Sequence, residues 1–135
     1  MRTTTLQVRT GGREAVLDIT AHCRRFTEGV DSGLFNVFVP HATAGVAILE
    51  TGAGSDDDLL AALDELLPAD DRWRHRHGSR GHGRSHVMPA LIPPYATVPL
   101  VAGRLTLGTW QSICVVDLNI DNHERDVILS VVSSA

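Results

Sequence analysis

No stretch of this 135-residue sequence approaches the roughly 20 consecutive apolar residues that a membrane-spanning helix needs. Its apolar stretches, such as Ile113 to Val116 and Val127 to Val132, are far shorter. An apolar signal core is also missing: Met1-Arg2-Thr3-Thr4-Thr5 leads straight into an alternating segment, so the expected compartment is the cytoplasm. Cysteine is scarce. Cys23 and Cys114 form neither a CxxC pair nor a disulfide framework, and with no HExxH the usual structural and protease zinc patterns are excluded. Both cysteines are expected to be buried free thiols. Positive charge is not in excess either. A formal net charge of −4 argues against a nucleic-acid surface, which relies on clustered Lys and Arg. With 43% hydrophobic and 21% charged residues, the chain reads as one ordinary folded domain over residues 1–135.

Local patterns give the elements. Leu6 and Val8 alternate with Thr5, Gln7 and Arg9 in a half-exposed strand, and Gly11-Gly12 supplies a turn from which Glu14 to Asp18 pairs back. Asp18 or Thr20 caps a helix through about Glu28, which Gly29 ends. Leu34 to Val39 and Gly45 to Leu49 are β-rich and flank Pro40-His41-Ala42-Thr43, so His41 belongs to a strand junction. Leu59, Leu60, Leu63, Leu66 and Leu67 recur at helical spacing after a capping-box-like Ser55 and Asp58, and Pro68 stops that helix. Ala69 to Ser85 is a long polar loop, and such loops tend to be functional or mobile. Strands are expected at His86 to Ile92, Thr97 to Val101, Arg104 to Leu107, Trp110 to Leu118 and Asp126 to Val132, with Ala102-Gly103 as a hairpin turn. Two main helices among hairpin-linked strands predict an α+β fold of mostly antiparallel, sandwich-like sheets.

The chemistry-bearing residues are unevenly spread. Arg72 to Arg84 holds five arginines and three histidines without an acid, a local cationic field suited to an anionic small molecule. His75, His77, His82 and His86 fall within twelve positions, either as a solvated loop or as metal ligands. His77 and His82 individually read as solvent-facing, whereas His41 with His75 and His86 is an allowed metal set. Asp56 and Asp57 suit a helix's first turn; Asp58 is either a capping partner or a divalent-ion ligand beside Glu50. Arg125, after the polar run Asp121-Asn122-His123-Glu124, either grips a phosphate bidentately or forms a surface ion pair. In Gly108-Thr109-Trp110-Gln111 a turn feeds a strand whose Trp packs while Thr109 and Gln111 offer hydrogen bonds.

Taken together, His41-Ala42-Thr43-Ala44-Gly45, Ser85-His86 and the run from Gly103 through Leu107-Gly108-Thr109-Trp110-Gln111 to Ile113 resemble the YjbQ-like family from about Leu6 to Val132. The resemblance implies a compact α+β subunit that assembles as a homotrimer. The implied activity is that of a secondary thiamine-phosphate synthase, joining hydroxymethylpyrimidine diphosphate to thiazole phosphate with release of pyrophosphate, normally with Mg²⁺. A phosphorylated small molecule is thus the expected substrate. His41, His86 and Arg125 are then the expected catalytic residues, and Thr43, Thr109, Gln111 and Arg125 the expected substrate-binding ones. The resemblance also carries metal ligation to His41, Glu50, Asp58, His75 and His86. Gly52 to Ser55, His82-Gly83-Arg84, Pro93-Pro94-Tyr95, Asp117 and Asp126 depart from the family pattern, mostly by losing acids and gaining His or Arg. That exchange favours a softer ion such as Zn²⁺, held by imidazole, or no metal, over a hard ion held by oxygen. Two alternatives stand beside the transferase: a non-catalytic metal- or phosphometabolite-binding trimer, and a metal-assisted hydrolase.

Overall fold

The computed structural model describes residues 1–133. Its α+β architecture has two antiparallel sheets. Strands β1 (Arg2–Arg9), β8 (Glu124–Ser133), β3 (Gly33–Phe38), β5 (Tyr95–Val101) and β6 (Arg104–Leu105) form a five-stranded sheet in that order. Strands β2 (Ala15–Asp18), β7 (Ser112–Asp117) and β4 (Ala44–Leu49) form a three-stranded sheet. Helix α1 (Thr20–Phe26) caps one end, α2 (Ser55–Leu66) covers the outer face of the small sheet, and the short α3 (Gly83–Val87) runs into a 3₁₀ turn at Met88–Ala90.

The sequence alternation explains the layers. Phe35, Val37, Val98, Val127 and Leu129 point from the large sheet into a core that meets Val46, Ile113 and Val115 from the small one. On the other face of the small sheet, Val116 and Leu118 join Leu63 of α2, Leu67 just after it, and Met88 in a second core. β7 is buried on both faces, which is why it reads as an unbroken apolar run.

Three local expectations are corrected. β2 does not pair back on β1; it pairs with β7, while β1 pairs with β8 along its whole length. Two successive glycines at φ +78° and +73° swing the chain from one sheet to the other. The cap of α2 is Gly54 in the left-handed region, with no side-chain capping bond, so Ser55 and Asp58 form no capping box. Finally, the expected strand His86 to Ile92 is instead helical through Ala90 and a turn at Leu91-Ile92; at its start Ser85 Oγ donates to the His82 carbonyl at 2.6 Å.

At the start of α1, Asp18 Oδ1 accepts from the Thr20 backbone N–H at 2.9 Å and its hydroxyl at 2.6 Å, the local side-chain bonding that favours helix entry. Cys23 and Cys114 are buried free thiols, and burial pushes each up to about 12, so neither is a nucleophile near neutrality.

Candidate metal centre

The 69–85 loop is a fixed structure. At its start Trp73 Nε1 donates to the Pro68 carbonyl at 2.9 Å, tying it to the end of α2. At its end the buried Arg84 guanidinium is bound by Asp64, Glu14 and the Leu67 carbonyl. Gly83 lets these ends close: a Cβ there would lie 2.4 Å from the Trp73 Cβ and 2.5 Å from the His75 carbonyl.

Closure brings four histidines together. His82 and His86 are four residues apart across α3, so they share a face, with Nε2 atoms 3.0 Å apart. His75 and His77 lie two apart in an irregular segment, with their Nε2 atoms in contact. One ring nitrogen from each of the four lies within 4.8 Å of all the others. A tetrahedral Zn²⁺ with Zn–N of about 2.0–2.1 Å needs nitrogens roughly 3.3 Å apart.

Orientation comes from the next layer out. His82 Nδ1 lies 2.9 Å from Asp121 Oδ2, an oxygen that also accepts from the Ser79 N–H at 3.0 Å and hydroxyl at 2.9 Å. A carboxylate on Nδ1 leaves Nε2 with its lone pair aimed into the cluster, the arrangement by which metal-binding histidines are held. These hydrogen bonds keep the Asp121 carboxyl below the usual carboxylate range. His75 and His86 are both shifted below the ordinary histidine value, by desolvation and by the neighbouring imidazoles. Neutral imidazoles are the form a metal requires.

Asp121 is itself positioned from the core. Its N–H donates to Asn119 Oδ1 at 2.9 Å, and Asn119 donates from its backbone to Asp117 and from its side chain to Thr43. Asp117 and Arg125, 0% and 1% exposed, form a bidentate ion pair at 2.8 and 3.0 Å, and Arg125 also donates to the Thr43 hydroxyl. Arg125 and Thr43, expected at a substrate, are instead buried parts of the scaffold behind His82.

The expected set divides between the two ends of the small sheet. His41 and the cluster stand toward the Asp117 end of β7, but His41 does not join the four: its Nε2 accepts the Asp126 N–H at 2.9 Å. Burial and the Arg125 charge lower His41, consistent with a neutral acceptor. Glu50 follows β4 at the opposite end, where Leu49 pairs with Ser112, and Asp58 lies on the first turn of α2, which starts from that end. Six strand residues span roughly 17 Å, so within one chain Glu50 cannot share an ion with His41. Thr109 and Gln111 also lie at the Ser112 end. Trp110 does not pack; it is 72% exposed.

The buried His82 corrects its solvent-facing reading, whereas His77 is exposed as expected and nonetheless belongs to the cluster. The signals that mark them are the four-residue spacing of His82 and His86 and the two-residue spacing of His75 and His77, both hidden while His86 reads as a strand.

With the geometry established, comparison with known proteins is informative. The family model described as "UPF0047 protein YjbQ-like" matches residues 4–134. The UPF0047 protein Rv2556c of Mycobacterium tuberculosis is 58% identical over 132 residues, covering 98% of each chain. The UPF0047 protein YugU of Bacillus subtilis is 36% identical over 116 residues, 81% of this chain and 83% of that one. The crystal structure of hypothetical protein APE1520 from Aeropyrum pernix K1 superposes with a TM-score of 0.91 at 32% identity, over 99% of this chain and 100% of that one.

Proposed function

The chain belongs to the UPF0047 YjbQ-like family, and from that premise we propose that it is a metalloprotein whose His75, His77, His82 and His86 hold a divalent ion of the Zn²⁺ type. The observation that carries the reading is the convergence of four imidazole nitrogens, one of them braced by Asp121. The donor set fits a borderline ion and does not fit Mg²⁺, which takes oxygen ligands; the expected oxygen donors Glu50 and Asp58 lie toward the other end of the small sheet. A bound Zn²⁺ class ion supplies Lewis acidity toward a phosphoryl or carbonyl oxygen when a coordination position is open. His75 and His77, more exposed than His82, are the ligands that a substrate can displace. The experiment is metal analysis of the purified protein with calorimetric titration of Zn²⁺ and Mg²⁺. The reading predicts about one Zn²⁺ per chain, loss of binding in His82→Ala and His86→Ala, and no Mg²⁺ binding.

Thiamine-phosphate synthesis, the activity the resemblance implies, is the second reading, supported by the cationic loop beside the cluster, where Arg76 and Arg80 border a cavity of about 90 Å³ with His75 and His82. It is tested by supplying the pyrimidine diphosphate and thiazole phosphate to Zn²⁺-loaded protein and measuring thiamine phosphate. The homotrimer is proposed on a second observation: the outward face of the five-stranded sheet shows Leu34, Phe38, Tyr95, Val101 and Val132, an exposed apolar set of the kind that marks an interface. Its mass in solution tests it. The cytoplasm stays the proposed compartment; no helix among the described residues is long and apolar enough to cross a membrane.

A further inference from the structure

The small sheet has two edges, and they are treated differently. At β4 the Val46 N–H donates to the Pro93 carbonyl at 2.8 Å, so the chain before β5 closes that edge. At the other edge β2 pairs with β7 and with no other strand. The Ile19 N–H donates to the Ile113 carbonyl at 2.9 Å, which sets the phase of the β2–β7 ladder. Alternate residues of an antiparallel pair bond to the neighbouring strand, so Ala15 and Leu17 face β7 while the N–H and C=O of Val16 and Asp18 point away from it. No turn or loop backbone among the described residues bonds to them.

A free edge alone assigns nothing, and β1 has one as well. What sets β2 apart is the groove beside it. This groove, about 360 Å³ in volume, is lined by residues 13–16 on the strand side and by Asp56, Asp57 and Leu60 of α2 on the other. Val16 and Leu60, half-buried against the second core, give it an apolar floor.

The two ends of the groove differ in charge. Arg13 lies just before Ala15, which pairs with Asp117, so the cation stands toward that end of β7. α2 starts from the Ser112 end, which places Asp56 and Asp57 there. Acids in a helix's first turn suit its dipole without any ligand, so their presence is not the argument; their position opposite Arg13, along an open strand edge, is. Glu14, the remaining acid of the lining, is engaged by Arg84.

An unpaired strand edge, an apolar floor and a helix wall are the parts of a strand-addition site, where main-chain hydrogen bonds give affinity and side-chain contacts give choice. We propose that the groove between β2 and α2 takes up an extended peptide segment of a partner protein as an added strand, antiparallel to β2, with a Lys or Arg at Asp56 and Asp57 and its carboxyl end toward Arg13. The direction follows from the charges. β2 runs from the Asp117 end of β7 to the Ser112 end, so a strand antiparallel to it begins at the acids and finishes at the arginine. Its apolar side chain rests on Val16 and Leu60. None of the four histidines takes part.

The test is calorimetric titration of the full chain with the peptide Ala-Lys-Val-Thr-Val, together with hydrogen exchange of the complex read residue by residue. The proposal expects saturable binding and a slowing of exchange at the Val16 N–H by roughly tenfold or more, with the amides of β1 unchanged. The same peptide methylated on every backbone nitrogen is expected not to bind, because it has no donors for the strand edge. Replacing its Lys by Glu, or using the Asp56→Asn, Asp57→Asn double variant with the original peptide, is expected to weaken binding by about threefold to tenfold. No binding at millimolar peptide overturns the proposal, as does binding that survives methylation or leaves Val16 exchange unmoved. Affinity equal for the Lys and Glu peptides, or undiminished in the double variant, overturns the charge selection. Protection of the Val16 N–H without peptide, lost on dilution, assigns the edge to a second copy of the chain and overturns the partner segment.

Discussion

Asp121 illustrates how much a single side chain decides here. Exposed and far in sequence from the 75–86 loop, it receives the His82 Nδ1 hydrogen and so chooses which nitrogen faces the other imidazoles. Loss of such a partner weakens metal affinity by about 10–100-fold, so Asp121→Asn is predicted to retain the fold and lower Zn²⁺ affinity by that factor in a competition titration. Arg125 acts at the same scale with the opposite balance of effects. Breaking a buried ion pair strands the remaining charge and costs about 3–5 kcal/mol; Arg125→Met, which strands Asp117, is predicted to lower stability by that amount in urea unfolding. A surface role for Arg125 would leave the unfolding midpoint unmoved. His41 has a proton-linked role. Its folded value is depressed, so the neutral form is the one the fold stabilises. That contribution is present above about pH 6.5 and is lost as pH falls through the lower folded value. His41→Gln, which keeps a hydrogen-bond acceptor, is predicted to flatten the stability profile between roughly pH 5 and 7, read by thermal melts across that range.

At the scale of elements, the loop from Ala69 to Ser85 and the short α3 act as one unit closed by Trp73, Gly83 and Arg84. Gly83→Ala places a methyl against the Trp73 side chain and the His75 carbonyl. It is predicted to open the loop, raising hydrogen exchange between residues 73 and 83 and lowering Zn²⁺ affinity, while α2 and both sheets keep their protection. The strands were legible from alternation and apolar runs, and α2 from its leucine spacing, because burial imposes those periods directly. What alternation reports is a face, not a partner: Val16 and Leu17 fit either a hairpin with β1 or the pairing with β7 that forms. The site was half legible for a related reason. His75 and His86 stand out with their neighbouring motifs, but His82 joins them only if residues 83–87 are helical. What makes them helical is a buried arginine held by residues 14, 64 and 67, distant in sequence. Trp110 misled in the other direction, since an indole is usually packed and this one stands in solvent.

For the whole molecule, the small sheet divides the expected site residues: imidazoles braced by the Arg125, Asp117, Asn119 and Asp121 network stand toward one end, and Glu50, Thr109 and Gln111 at the other. A residue set that looked like one site in sequence is divided by the length of a strand. Mass action adds a consequence, because a ligand that binds only the folded state raises its stability. Zn²⁺ is predicted to raise the melting temperature at pH 7.5, and the increment is predicted to shrink as the pH falls, because protons compete with the ion for the imidazole nitrogens; Mg²⁺ is predicted to leave the melt unchanged. The most direct measurement of the central claim is X-ray absorption at the zinc edge on protein loaded with one equivalent of Zn²⁺. The account predicts a first shell of three or four imidazole nitrogens at about 2.0–2.1 Å, reduced in number in His82→Ala. A shell dominated by oxygen, or one unchanged by His82→Ala, contradicts it.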